Sequence, residues 1–70
     1  MANLESPLAG KILEINIEVG QAITEDDELI IIEAMKMENP VFSDTAGIVK
    51  EIKIKIGDKV QEGDVLAVIE

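Results

Sequence analysis

The chain has 70 residues, six lysines against fifteen acidic residues and a formal net charge of −9, with no cysteine, no histidine and one aromatic residue, Phe42. An acidic surface repels phosphate backbones and anionic membranes, and a stacking platform needs more than one ring, so no nucleic-acid partner and no membrane contact are expected. Thiolate and imidazole chemistry are absent, which removes disulfides, the commonest general base and the commonest metal ligand, and no metal site is expected.

Twelve isoleucines and six valines supply most of the apolar content. β-Branched side chains fit a pleated surface and crowd a helix, so the composition alone predicts an all-β domain. From the N-terminus, Met1–Glu5 lacks the basic and apolar regions of a signal peptide. A cytoplasmic location is expected, or an organelle matrix if a longer precursor is trimmed. Apolar runs such as Leu29–Ile32 fall far short of a membrane span. Ile15, Ile17 and Val19 alternate with Glu14, Asn16 and Glu18, the period of a strand with one buried face. Gly20 breaks that strand at a turn. Gln21–Glu28 reads as a short strand around Ile23 followed by a loop. Leu29–Glu33 reads as a strand buried on both sides.

The same order then repeats. Shifted by 37 residues, Ser6–Glu33 lies over Ser43–Glu70 without a gap. Ala9-Gly10 meets Ala46-Gly47, Ile15/Ile17/Val19 meets Ile52/Ile54/Ile56, Gly20 meets Gly57, and Ile32-Glu33 meets Ile69-Glu70. Self-similarity of this kind marks a repeated structural unit. A half of this size cannot bury its apolar face alone, so the pattern predicts a flattened β-barrel or sandwich of two pseudo-two-fold-related halves. The repeat spans 6–33 and 43–70 of one domain covering 1–70, and no substantial helix is expected. Pro7 and Pro40 suit an edge or a strand start, and Phe42 a core plug.

Symmetry makes 33–42 the connection between the halves and places it at the end opposite the termini. It reads Glu33-Ala34-Met35-Lys36-Met37-Glu38-Asn39-Pro40. Lys36 is the only cation between Lys11 and Lys50, flanked by two of the three methionines. Residue chemistry leaves two readings open. Met35 and Met37 are core fillers with Lys36 in solvent, or they are soft side chains by which a partner grips a turn and acts on its amine. The acidic clusters Glu25–Glu28 and Glu62–Asp64 recur at turn positions in both repeats, which marks solvated loops and not a catalytic site.

Glu33-Ala34-Met35-Lys36-Met37 resembles the attachment motif of biotin carboxyl carrier domains. Ser6-Pro7-Leu8-Ala9-Gly10, Ala46-Gly47-Ile48-Val49, Gly57-Asp58 and Val60–Leu66 resemble the rest of that family, so the likeness spans the chain. It implies a barrel-sandwich hybrid of two four-stranded halves, with a lysine on a protruding hairpin turn. It also implies covalent biotin on Lys36 through an amide, which moves the formal charge from −9 to −10. Met35, Met37, Ala34 and Glu33 complete the turn that a biotin protein ligase reads. The implied role is non-catalytic. The carrier shuttles carboxyl groups, as carboxybiotin, between biotin carboxylase and carboxyltransferase, acting on an acyl-CoA or a keto acid such as pyruvate, or in reverse in a decarboxylase. The gapless repeat lacks the inserted thumb of some acetyl-CoA carboxylase carriers. A lipoyl domain shares fold and lysine position, but its motif usually places an acidic residue before the lysine, where Met35 stands.

Overall fold

The computed structural model describes residues 2–43 and 45–70. It contains eight strands: β1 (Ala2–Glu5), β2 (Gly10–Ile15), β3 (Ala22–Ile23), β4 (Glu28–Ala34), β5 (Met37–Phe42), β6 (Gly47–Ile52), β7 (Lys59–Val60) and β8 (Val65–Ile69). No helix is present among the described residues. The strands form two four-stranded sheets, ordered β1-β8-β6-β3 and β5-β4-β2-β7, with antiparallel pairing throughout. Each sheet takes two strands from the first half of the chain and two from the second. The halves interleave instead of stacking as separate layers, so neither could close its sheet without the other.

The 37-residue offset extends to individual rungs. Ile12 pairs with Ile32 and Val49 with Ile69; Gly10 pairs with Val60 and Gly47 with Ile23. The register slips between Ile12 and Glu14 in one ladder and between Val49 and Glu51 in the other. Turn bonds repeat as well. The Gln21 carbonyl accepts from the Val49 amide at 2.9 Å, and the Asp58 carbonyl accepts from the Ile12 amide at 2.8 Å.

The core lies between the sheets. Ile12, Leu29, Ile30, Ile32 and Leu66 are fully buried, joined by Ile23, Val41, Val49, Val60 and Ile69. Burying a large aliphatic side chain contributes about 1.5–3 kcal/mol, so this cluster supplies most of the drive to fold. Leu29–Ile32 is buried at every position, as its unbroken apolar run predicts.

Two expectations fail. The strands run over Gly10–Ile15 and Gly47–Ile52, so the alternating segments Glu14–Val19 and Glu51–Ile56 carry only their ends. Ile17 and Ile54 are buried, whereas Val19 and Ile56 are 64% and 68% exposed. The reason is local. The chain leaves the ladder after Asn16 and Lys53, whose amides make the last bonds to Leu29 and Leu66. It then turns through Gly20 and Gly57, both left-handed (φ 92° and 95°), which points the preceding residue outward. Phe42 is no core plug either. It ends β5 at 47% exposure, beside Asn3, Leu4 and Glu5.

Candidate functional site

The segment joining the two repeats is a β-hairpin. β4 and β5 pair from Glu28↔Phe42 to Ala34↔Met37, leaving Met35 and Lys36 as a two-residue turn. Both have left-handed backbones, φ 54° and 63°. Two-residue hairpins favour turns with positive φ at both centres, because these match the right-handed strand twist. Such turns usually take Asn-Gly, since a Cβ at positive φ meets the following carbonyl. Met-Lys holds the same shape at a conformational cost of about 1–3 kcal/mol per residue, and strain of this kind concentrates at functional sites.

Residues around the turn secure it. The Asn39 side-chain amide donates to the Met37 carbonyl at 3.1 Å and to the Ile32 carbonyl at 3.4 Å, tying the base of the hairpin together. Pro40 lies opposite Ile31, three rungs from the closing Ala34↔Met37 pair. The alternation of an antiparallel ladder turns its nitrogen away from β4, and β5 is an edge strand, so no ladder bond is lost.

Every residue singled out by the motif falls on this hairpin. Lys36 is exposed and makes no hydrogen bond or ion pair among the described residues. Met35 is 93% and Met37 64% exposed, which removes the core-filler reading of the two methionines. Ala34 is half-buried at the turn's base, and Glu33 is exposed one rung below. A shallow apolar dimple beside the turn is lined by Leu8, Ala9, Ala34, Met35, Met37 and Asn39. The apex therefore offers a primary amine to solvent between two soft apolar side chains. An accessible, unpaired amine is what amide formation with a carboxylate requires, so the residues fit a covalently attached acid. Among the described residues no group of acidic side chains is arranged to hold a metal ion.

Three neighbours of the site were not singled out by the sequence. Asn39 braces the hairpin as described. Lys11 of β2 lies opposite Glu33, and Lys59 of β7 lies opposite Lys11. The signal for the lysines was present in the repeat, because the offset places Lys11 over Ile48 and Ala22 over Lys59, so that both members of this rung are cations at one end and apolar at the other.

Comparison with known proteins agrees with this fold. The family model described as "Biotin-requiring enzyme" matches residues 2–69. The chain is 40% identical over 43 residues to a biotin carboxyl carrier protein of Streptococcus mutans, covering 61% of this chain and 33% of that protein. It is 42% identical over 38 residues to the gamma subunit of methylmalonyl-CoA decarboxylase from Veillonella parvula, covering 54% and 30% respectively. The chain thus spans about a third of the length of these relatives. In structure it matches the urea carboxylase of Kluyveromyces lactis with a TM-score of 0.90 and 39% identity, over 99% of this chain and 6% of that one. The lipoyl domain of the 2-oxoglutarate dehydrogenase complex of Azotobacter vinelandii superposes with a TM-score of 0.81 at 22% identity, over 100% of this chain and 96% of that domain, a likeness of fold alone.

Proposed function

The chain belongs to the family of biotin-requiring enzymes that its sequence model defines, and from that premise we propose that Lys36 carries biotin as an amide on its ε-amine. The domain is a biotin carboxyl carrier of a biotin-dependent carboxylase or decarboxylase. The observation that carries the site assignment is the hairpin apex: Lys36 stands exposed on a strained two-residue turn, flanked by exposed Met35 and Met37.

Bound there, biotin supplies a ureido nitrogen that accepts and gives up a carboxyl group, and that chemistry belongs to the cofactor. The chain's own residues present it. Asn39 and the β4–β5 ladder hold together the hairpin that carries the apex. Met35 and Met37 give a biotin protein ligase apolar purchase on either side of the amine. Glu33 and Ala34 lead β4 into the turn and fix its entry. Tethering to the domain raises the local concentration of the group at each enzyme it visits, the biotin carboxylase and the carboxyltransferase. The domain is a carrier with no catalytic residue of its own, working in the cytoplasm or an organelle matrix.

Co-expression with a biotin protein ligase, followed by intact-mass measurement and an avidin blot, tests the reading. One biotin per chain, mapped to Lys36 and absent from Lys36→Arg, is the expected result. A lipoyl-sized mass on Lys36, or an unmodified folded protein, overturns it.

A further inference from the structure

A row of four charged side chains crosses the sheet one rung below the turn. In register, Lys59 of β7 lies opposite Lys11 of β2, Lys11 opposite Glu33 of β4, and Glu33 opposite Glu38 of β5. All four are exposed, and the rung behind them turns inward with Ile12 and Ile32. Cross-strand partners share a face, so the row is a strip of two positive charges followed by two negative ones. None of the four makes an ion pair among the described residues, although Lys53 pairs with Glu51 elsewhere at 3.1 Å. Beside the basic half lies a shallow depression floored by Ala9, Ala34, Met35 and Val60.

Two plain explanations of the lysine pair fail. Like charges directly opposite one another weaken a sheet, so the pair is no stabilising device. Lysines also blunt exposed edges against aggregation, and β7 is an edge strand. The internal repeat supplies the control. The counterpart edge is β3, where Ala22 lies opposite Ile48 and the Ile48 amide donates to the Glu70 carbonyl at 2.9 Å. That rung reads Ala22–Ile48–Glu70 where the hairpin's reads Lys59–Lys11–Glu33. The same fold, edge and register do without cations at this rung, so the fold does not demand them at its counterpart.

We propose that the strip Lys59–Lys11–Glu33–Glu38 is a docking surface for the ligase that modifies Lys36, which meets Lys11 and Lys59 with carboxylates of its own. The proposal rests on the carrier reading above. Charge complementarity favours this partner. A protein of net charge −9 offers an acidic partner little to approach, and this shoulder sets two cations on the sheet that carries the Lys36 hairpin. The strip also has direction. Methionines stand on both sides of Lys36, so apolar contact alone does not tell an enzyme which way round the hairpin lies. A positive-to-negative row does, because the reversed docking sets like charges together. A ligase meeting its substrate by diffusion gains rate from such steering.

The test compares two variants of equal net charge. Lys11→Gln with Lys59→Gln, and Ala22→Glu with Ile48→Glu at the counterpart rung, each move the formal charge from −9 to −11. Modification of Lys36 is followed by intact mass with a purified biotin protein ligase across a range of salt. The lysine variant is expected to raise KM by roughly three- to tenfold, the effect of two exposed charge pairs, with kcat unchanged and the salt dependence flattened. Lys11→Arg with Lys59→Arg is expected to restore the original KM. The Ala22/Ile48 variant is expected to behave as the parent. Equal KM in the lysine variant, or an equal rise in both variants, overturns the docking strip while leaving the carrier reading intact. Failure of the parent chain to be modified at all sinks the carrier reading, and the strip with it.

Discussion

Gly10 and Gly47 stand 37 residues apart and meet the same obstacle. A Cβ on Gly47 would lie 2.6 Å from the Glu70 carbonyl oxygen and 2.7 Å from the Ile69 Cγ2. A Cβ on Gly10 would overlap the Glu33 carbonyl oxygen in the same way and press on Ile32. A backbone oxygen cannot swing aside as a side-chain tip can, so the strands themselves must part. Replacing either glycine with alanine is expected to cost roughly 1–3 kcal/mol by overpacking. Urea unfolding of the single variants checks this. Gly10→Ala carries a second expectation, since Glu33 leads into the hairpin: hydrogen exchange should quicken at Ala34 and Met37, whereas Gly47→Ala should leave those amides protected.

Lys36→Arg separates function from fold. Lys36 is exposed and unpaired at the apex, so the substitution is expected to change stability by no more than about 0.5 kcal/mol, the usual range for surface positions. A guanidinium stays protonated and does not form the amide, so biotin incorporation should vanish while the unfolding midpoint holds. Loss of the folded state would assign Lys36 a structural role.

Much of this architecture was legible in the chain. The repeat gives the order of the strands within 6–33 and 43–70 because each half carries the same apolar pattern, and rungs such as Ile12↔Ile32 and Val49↔Ile69 keep that offset, whereas β1 and β5 lie outside the repeated segments and were not marked by it. Strand ends were less legible. An alternating run reads as one strand wherever it lies, and only the hydrogen bonds show that the ladder stops at Asn16 and Lys53. The site was legible in part. Glu33-Ala34-Met35-Lys36-Met37 is contiguous and shows in sequence, whereas Lys11 and Lys59 lie 48 residues apart and become neighbours only through the β2–β7 pairing.

The same distinction predicts how two alternating isoleucines differ. Ile17 is 4% exposed and Ile56 68%, although both sit at apolar positions of the alternating pattern. Ile17→Ala empties a packed site and should cost about 2–5 kcal/mol. Ile56→Ser exchanges one solvent-facing side chain for another and should stay within about 0.5 kcal/mol of the parent. Thermal or urea unfolding of the pair decides it. Comparable losses would mean that the segment after Lys53 is packed as a continuing strand.

The turn itself offers the last test, because its shape and its residues disagree. Met35 and Lys36 both hold positive φ, a conformation that asparagine and glycine adopt with far less strain. If the hairpin is held by its ladder and by Asn39, relieving the strain should stabilise the domain without moving the ladder. Met35→Asn is expected to raise unfolding stability by about 0.5–1 kcal/mol, and Met35→Asn with Lys36→Gly by about 1–2 kcal/mol. The double variant has no amine at the apex and accepts no biotin. The single variant keeps Lys36 but loses one methionine, so it should be more stable yet modified more slowly by the ligase. That opposition, stability gained as modification slows, is the signature of a turn whose residues serve recognition at the expense of conformation. Should Met35→Asn instead lower stability, the exposed thioether is packing against the dimple formed by Leu8 and Ala9, and Met35 has a structural share in holding the apex upright.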